Sequence, residues 1–185
     1  MSMGGGASSK AHGVEADFLV IGSGVAGLRA AIELSRHGLV LILTKGNPLE
    51  SSSSYAQGGV AVALSEEDDV TIHLTDTLDA GRGLCRQEAV QVLVEEGPDR
   101  IQELIAWGAK FDKVGGKFAF AKEAAHSRSR ILRARGDATG NEMVKVLMAR
   151  ARRHKRIKWL DHHFTMDLVV ADGVCSGALV LDEVT

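Results

Sequence analysis

Gly22, Gly24 and Gly27 stand at G-x-G-x-x-G spacing, a pattern in which each glycine has a separate chemical use. The first permits a tight turn, the second lets backbone approach a pyrophosphate, and the third lets a helix pack closely on a strand. A helix that begins behind such a turn points free amides and the positive end of its dipole at an anion. The apolar run Phe18 to Ile21 precedes the glycines, and Val25, Leu28, Ala31, Ile32 and Leu34 follow at helical spacing. The sequence therefore predicts a strand, a glycine turn and a helix to His37, with Gly38 at the helix C-terminus. Leu39 to Leu43 is a second buried strand, and the three elements compose a right-handed βαβ crossover, the core of a doubly wound α/β sheet.

Dinucleotide sites of this kind usually carry a carboxylate near the end of the second strand, where it holds the ribose hydroxyls. Thr44 and Lys45 occupy that place here, which argues against a plain NAD site. Lys45 either reaches a phosphate or ribose oxygen or is a solvated lysine ending a strand. Residues 45 to 59, KGNPLESSSSYAQGG, hold too much Ser, Gly and Pro for a regular element. Their length suggests a binding loop, although a Ser-rich surface loop has the same composition.

Further along, the spacing predicts a helix over 69–80 and helical structure over 87–107, broken into two helices at Gly97 and Pro98. Val90, Leu93, Val94, Ile101, Leu104 and Ile105 are its core-facing positions. Residues 111–120 read as a hairpin turning at Gly115 and Gly116. Thr139 and Glu142 match a Thr-x-x-Glu capping box, opening a helix to about His154. The remaining elements are strands over 157–160, 166–170 and 174–181, the last two joined through Asp172 and Gly173.

Composition sets the outer bounds. The chain has 185 residues, 45% hydrophobic and 25% charged, with a formal net charge of −2. That describes a water-soluble globular chain, long enough to bury roughly 70% of its unfolded surface without a staple. The near balance of charge gives no global pull toward nucleic acid or an anionic membrane. A basic cluster from Arg150 to Lys158 is better explained as cations closing a helix. The two cysteines, Cys85 and Cys175, lie far apart and have no metal-ligand spacing, so neither a disulfide framework nor a metal site is indicated. No apolar run is long enough for a signal peptide or a membrane span, and a flexible tail over 1–16 in a cytoplasmic protein is expected.

GSGVAGLRAA, LTKG, SSSSYAQGG, DTLDAGRGLC, EEGPDRIQELIAWGAKFD, HSRSRIL and GDATG together resemble the L-aspartate oxidase family, from Asp17 to the end of the chain. That family is grouped with the flavoprotein subunits of succinate dehydrogenase and fumarate reductase. The resemblance implies a Rossmann-like FAD-binding domain with a mostly parallel sheet, helices and a C-terminal antiparallel strand pair. It implies FAD-dependent oxidation of L-aspartate to iminoaspartate in NAD biosynthesis, with dioxygen or fumarate as acceptor. A soluble fumarate reductase, or a non-catalytic FAD-binding module, are the other readings.

Carried onto this sequence, the resemblance puts Gly22, Ser23, Gly24, Val25, Ala26 and Gly27 around the FAD pyrophosphate and Lys45 on the adenosine side. Ser52, Ser53, Ser54, Tyr55, Ala56, Gln57, Gly58 and Gly59 would wrap the flavin. Glycine permits backbone amides to approach a planar ring, and Ser and Gln57 can hydrogen-bond its polar edge. Ser52 aligns with the histidine that bonds covalently to FAD in succinate dehydrogenases, so FAD is expected to be held non-covalently. Glu123 and His126 fall in the family segment that reaches the substrate, where a carboxylate would meet the ammonium of aspartate. Read alone, the two are an exposed Glu and a satisfied surface His. One or two of Arg128, Arg130, Arg133 and Arg135 could recognise a dicarboxylate. The family's catalytic arginine and further substrate histidines lie on a capping domain and later segments, so residues 17–185 are expected to form the N-terminal part of an FAD-binding domain, with no catalytic residue of their own.

Overall fold

In the computed structural model, which describes residues 13–184, the glycine turn is framed by three parallel strands. β1 (Phe18–Ile21), β2 (Val40–Leu43) and β8 (Ile157–Leu160) run in the order β1-β2-β8, in register from Phe18 opposite Val40 and Val40 opposite Ile157. The central strand β2 is buried at all four residues, as a strand covered on both faces must be. Among the described residues β1 pairs on one side only, and Leu19 and Ile21 are exposed beside its other edge. Of the tail expected over 1–16, residues 1–12 lie outside the described residues, and Gly13 to Ala16 are exposed and belong to no helix or strand.

α1 (Val25–Leu34) and α4 (Thr139–Ala151) lie side by side against this sheet. Leu28, Ala31 and Ile32 from one helix meet Val144, Leu147, Met148 and Ala151 from the other over Val40 and Ile42. α1 ends at Leu34, earlier than His37, because the Ser35 hydroxyl turns back to the Ile32 carbonyl at 2.7 Å. Gly38 is not in the left-handed region of a helix-ending glycine. It is needed because a Cβ there would collide with the Asp17 side chain, whose carboxylate accepts from the Leu39 amide at 2.7 Å.

α2 (Val70–Gly81) is capped by Asp69, whose side chain accepts from the Thr71 amide at 2.7 Å. α3 (Gln87–Ala106) is one helix and not the two expected, with Pro98 in its interior. The preceding Gly97 has no Cβ to clash with the proline ring, which removes part of the usual obstacle to helix before proline. Val90, Val94, Ile101 and Leu104 are buried and Ile105 partly so, but Leu93 is 67% exposed, contrary to the core position expected for it. It falls outside the buried stripe that the other four share.

β4 (Lys113–Val114) and β5 (Lys117–Phe118) form the expected hairpin, with both turn glycines at positive φ, 59° and 85°. The long antiparallel pair β9 (His163–Ala171) and β10 (Val174–Asp182) turns at Asp172 and Gly173, again both at positive φ. The structure also has a small sheet that the sequence did not reveal. β3 (Val60–Ala61), β7 (Ile131–Leu132) and β6 (Phe120–Ala121) pair in the order β3-β7-β6, and two-residue strands carry no readable alternation.

One charged cluster ties this small sheet to α2. Arg130, 0% exposed beside β7, donates to Asp68 through Nε and Nη2 at 2.8 and 2.7 Å and to Asp76 through Nη1 at 2.7 Å. Burial opposes its charge, but the hydrogen bonds and charges of Asp68 and Asp76 raise its pKa further. Burial also pushes Asp76 upward, yet hydrogen bonds from Ser127 and Arg130 hold it below the usual carboxylate range. His73, 7% exposed and edge-on to the His126 ring at 5.7 Å, is pushed below the ordinary histidine value by burial and then by Arg130 and His126.

Both depressed groups bind fewer protons folded than unfolded, so both favour the fold at high pH and cease to do so in acid. His73 starts to destabilise as pH drops below the ordinary histidine value of 6.5, and Asp76 adds a loss below the ordinary aspartate value of 3.8. His154, lowered by burial beside Arg150 and Arg36, contributes in the same window as His73. The urea midpoint is therefore expected to fall between pH 7.5 and 5.5. His73→Gln should make that fall shallower while leaving the His154 part; an unchanged slope would refute the assignment.

Candidate functional site

The turn between β1 and α1 has the geometry that an anion-binding helix terminus needs. Gly22 has φ +102°, and a Cβ on Gly27 would run into the Gly22 carbonyl and lie 3.3 Å from Val20. Gly24 is the N-cap of α1 in extended conformation and brings no side chain to it. The cap comes instead from the serine loop: Ser53 Oγ accepts from the Val25 amide at 3.2 Å, and a Cβ on Gly24 would stand 3.0 Å from it. Ser23 is buried, with its hydroxyl 2.9 Å from the Pro48 carbonyl and 3.4 Å from the Thr44 hydroxyl. These contacts fasten the glycine turn to residues 44–53.

A cavity of about 430 Å³ opens at that junction. It is lined by Gly22, Ser23, Gly24, Thr44, Lys45 and Glu50 to Ser53, and by His163 to Thr165 as the chain enters β9. Lys45 is exposed at its rim, at the end of β2. Backbone amides at a helix start, hydroxyls and one ammonium form a donor set suited to a pyrophosphate and its adjoining sugar. His163, Phe164 and Thr165 escaped sequence reasoning, since only the fold brings β9 beside the end of β2.

The loop over 45–59 is ordered by its own serines. The Ser51 amide donates to Ser54 Oγ at 2.9 Å, and the Ser54 amide returns to the Ser51 carbonyl at 2.9 Å. Ser52, Tyr55 (71% exposed), Ala56 and Gln57 face solvent. Gly58 turns the chain at φ +83°, and Gly59 fits against β7, where a Cβ would meet Ile131 and, at 2.6 Å, the Leu132 carbonyl. Its missing side chain therefore serves a backbone neighbour within the protein.

The start of α4 supports the same loop. Thr139 Oγ1 donates to the Gly58 carbonyl at 2.6 Å and accepts from the Ala134 amide at 3.0 Å. The Gly140 amide donates to the Ala56 carbonyl at 3.3 Å, and a Cβ on Gly140 would meet Ser53 and Ala56 backbone. The expected capping box consequently does not form. Ala138 is the N-cap, and the Glu142 carboxylate accepts from the Lys110 amide at 2.9 Å and pairs with Arg135 at 3.1 Å. Both box side chains have tertiary partners that outcompete the local ones.

Glu123 and His126 do not join the residues around Lys45. Glu123 is exposed and pairs with Arg133 at 3.3 Å. His126 is half-buried and lines a second, apolar cavity of about 680 Å³, together with Val25 and Ala26 from the glycine turn, Val60, His73 and Met143. Val25 and Ala26 line this second cavity and not the first. Of the four arginines considered for a dicarboxylate, Arg130 is consumed by Asp68 and Asp76, Arg135 by Glu142 and Arg133 by Glu123. Among the described residues there is no cluster of metal-ligating side chains and no helix long and apolar enough to cross a membrane. Cys85 and Cys175 are free thiols.

Comparison with known proteins agrees with this geometry. Residues 17–185 match the family of the FAD binding domain. The chain is 46% identical over 166 residues to a chloroplastic L-aspartate oxidase 2-b of Nicotiana tabacum, covering 87% of this chain and 26% of that protein. It is 45% identical over 167 residues to an L-aspartate oxidase of Streptomyces coelicolor, covering 89% of this chain and 29% of the other. E. coli quinol fumarate reductase superposes on 90% of the chain with a TM-score of 0.86 at 28% identity, which is 29% of that structure's chain. The chain therefore spans about a quarter to a third of the length of the curated relatives it matches. With the family matched from Asp17 onward, and with a glycine turn, helix terminus and hydroxyl-lined cavity that fit a dinucleotide, the chain belongs to the FAD binding domain family and its cofactor is FAD.

Proposed function

We propose that the chain provides the cofactor-holding part of an L-aspartate oxidase, which converts L-aspartate to iminoaspartate for NAD biosynthesis and passes the electrons to dioxygen or fumarate. The observation that carries this reading is 44–46% identity to curated L-aspartate oxidases over about nine-tenths of the chain. FAD supplies the chemistry of accepting a hydride from the α-carbon. The residues of this chain bind and orient. The α1 N-terminus, with Gly22 to Gly27, holds the pyrophosphate against amides and the helix dipole. Lys45 reaches the adenosine side, and Ser52 to Gly59 lie along the flavin.

A serine hydroxyl at Ser52 is a far poorer nucleophile toward a flavin methyl position than an imidazole, which supports non-covalent binding. Glu123 is free to exchange its half-exposed Arg133 partner for the ammonium of aspartate. A substrate without that ammonium offers nothing in return for the lost pair, so the exchange selects aspartate over succinate. His126 stands three residues away on the same turn.

A second reading, a soluble fumarate reductase of the same superfamily, is supported by the 0.86 TM-score to E. coli quinol fumarate reductase. A cytoplasmic location belongs to the proposal, set against plant relatives whose names place them in the chloroplast. Fractionation of the native host decides it.

Protein expressed from its complete reading frame should produce hydrogen peroxide with L-aspartate and not with succinate; turnover of succinate alone would overturn the oxidase reading. Acid precipitation of the yellow protein should leave the flavin in the supernatant, whereas flavin retained in the pellet would contradict non-covalent binding. Gly24→Ala pushes a Cβ toward Ser53 Oγ at the α1 terminus, and should weaken FAD binding about tenfold, roughly 1.4 kcal/mol, with little change in thermal stability. Fluorescence quenching of free FAD on binding measures it, and an unaltered affinity would remove Gly24 from the site.

A further inference from the structure

The Arg130 cluster does more than join α2 to β7. Nη1 of Arg130, besides donating to Asp76 at 2.7 Å, lies 3.4 Å from Nδ1 of His126. A guanidinium has donors and no acceptor, so in this contact His126 Nδ1 carries a lone pair and the ring proton resides on Nε2. The same Oδ2 of Asp76 that receives Arg130 also accepts from the Ser127 amide at 2.8 Å and the Ser127 hydroxyl at 2.9 Å. The His126 amide in turn closes a turn onto the Glu123 carbonyl at 3.0 Å. Arg130 itself has no freedom to follow its neighbours, because Asp68, whose side chain is also fully out of solvent, grips it at two nitrogens. The His73 ring stands edge-on to the His126 ring, 5.7 Å between centroids.

We propose that Arg130 is a positioning residue: it fixes His126 as the neutral Nε2–H tautomer and, through Asp76, clamps Ser127, so that the turn from Glu123 to Ser127 is held in one orientation. His126 then presents an N–H donor, and no basic lone pair, on the ring edge away from Arg130. A donor there suits a carboxylate oxygen of a dicarboxylate, while Glu123 on the same turn suits an ammonium. This catalytic meaning rests on the substrate reading given above; the tautomer and the clamp do not.

The test uses the 185-residue chain labelled with ¹⁵N-histidine at pH 8, where an ordinary imidazole is neutral. Long-range ¹H–¹⁵N spectra report the tautomer, and His126→Gln identifies the signal. The wild type is expected to show His126 with the proton on Nε2 alone. In Asp68→Leu/Arg130→Met, which replaces the buried pair by apolar groups of similar size, an Nδ1–H population should emerge. In Asp76→Asn the Ser127 amide should exchange with solvent about tenfold faster. A wild-type Nδ1–H tautomer overturns the proposal, as does a variant pair that leaves both tautomer and exchange unaltered. Should the double variant fail to fold, the wild-type tautomer and Asp76→Asn still decide. Failure of L-aspartate turnover with the Nε2–H tautomer intact would remove the oxidase reading and leave the positioning role standing.

Discussion

The contact between Gly27 on α1 and the Gly22 carbonyl is the constraint on which the rest of the molecule depends. No side chain fits between them, so the helix sits directly over the end of β1 and its N-terminus has only one direction to point. Every other part of the cofactor half is arranged around that approach. Ser53 supplies the cap that Gly24 lacks, Ser23 anchors the turn to Thr44 and Pro48, and α4 packs beside α1 on the same face of the sheet. Backbone proximity rather than side-chain chemistry thus sets the site.

What the sequence made legible was whatever depends on neighbours in the chain. The glycine turn, the buried β2 and the two hairpins at Gly115-Gly116 and Asp172-Gly173 obey local rules of φ and periodicity, and the structure has them where those rules put them. The misreadings share one cause. Thr139 and Glu142 satisfy the local capping pattern but are claimed by Gly58, Ala134, Lys110 and Arg135. Pro98 satisfies the local rule for a helix break, yet α3 runs through it, helped by the glycine before it. The pairing of Val60 and Phe120 with Leu132 reaches across the sequence from β3 to β7 and leaves no trace in any window. Of the site, the glycines could be argued from the residues themselves. Ser52 to Gly59, Glu123 and His126 were reached through resemblance, and the cavity-lining residues of β9 through neither.

Arg130 illustrates how a sequence motif can be right in place and different in purpose. Its row of arginines suggests ligand recognition, and its burial between two aspartates turns that charge inward. A buried ion pair of this kind recovers little net stability over an apolar substitute, whereas losing one partner is costly. Its value lies in directional restraint: three hydrogen bonds in a rigid fork define where α2, β7 and the intervening turn must stand.

The open edge of β1 has a consequence beyond cofactor binding. Among the described residues β1 pairs with β2 alone, and a strand edge of this kind, beside exposed Leu19 and Ile21, is a template on which an identical strand can register. A net charge of −2 offers weak mutual repulsion to hold such edges apart. Lateral strand addition is the contact such an edge favours, so the element that leads into the glycine turn is also the one through which copies of this chain would first pair.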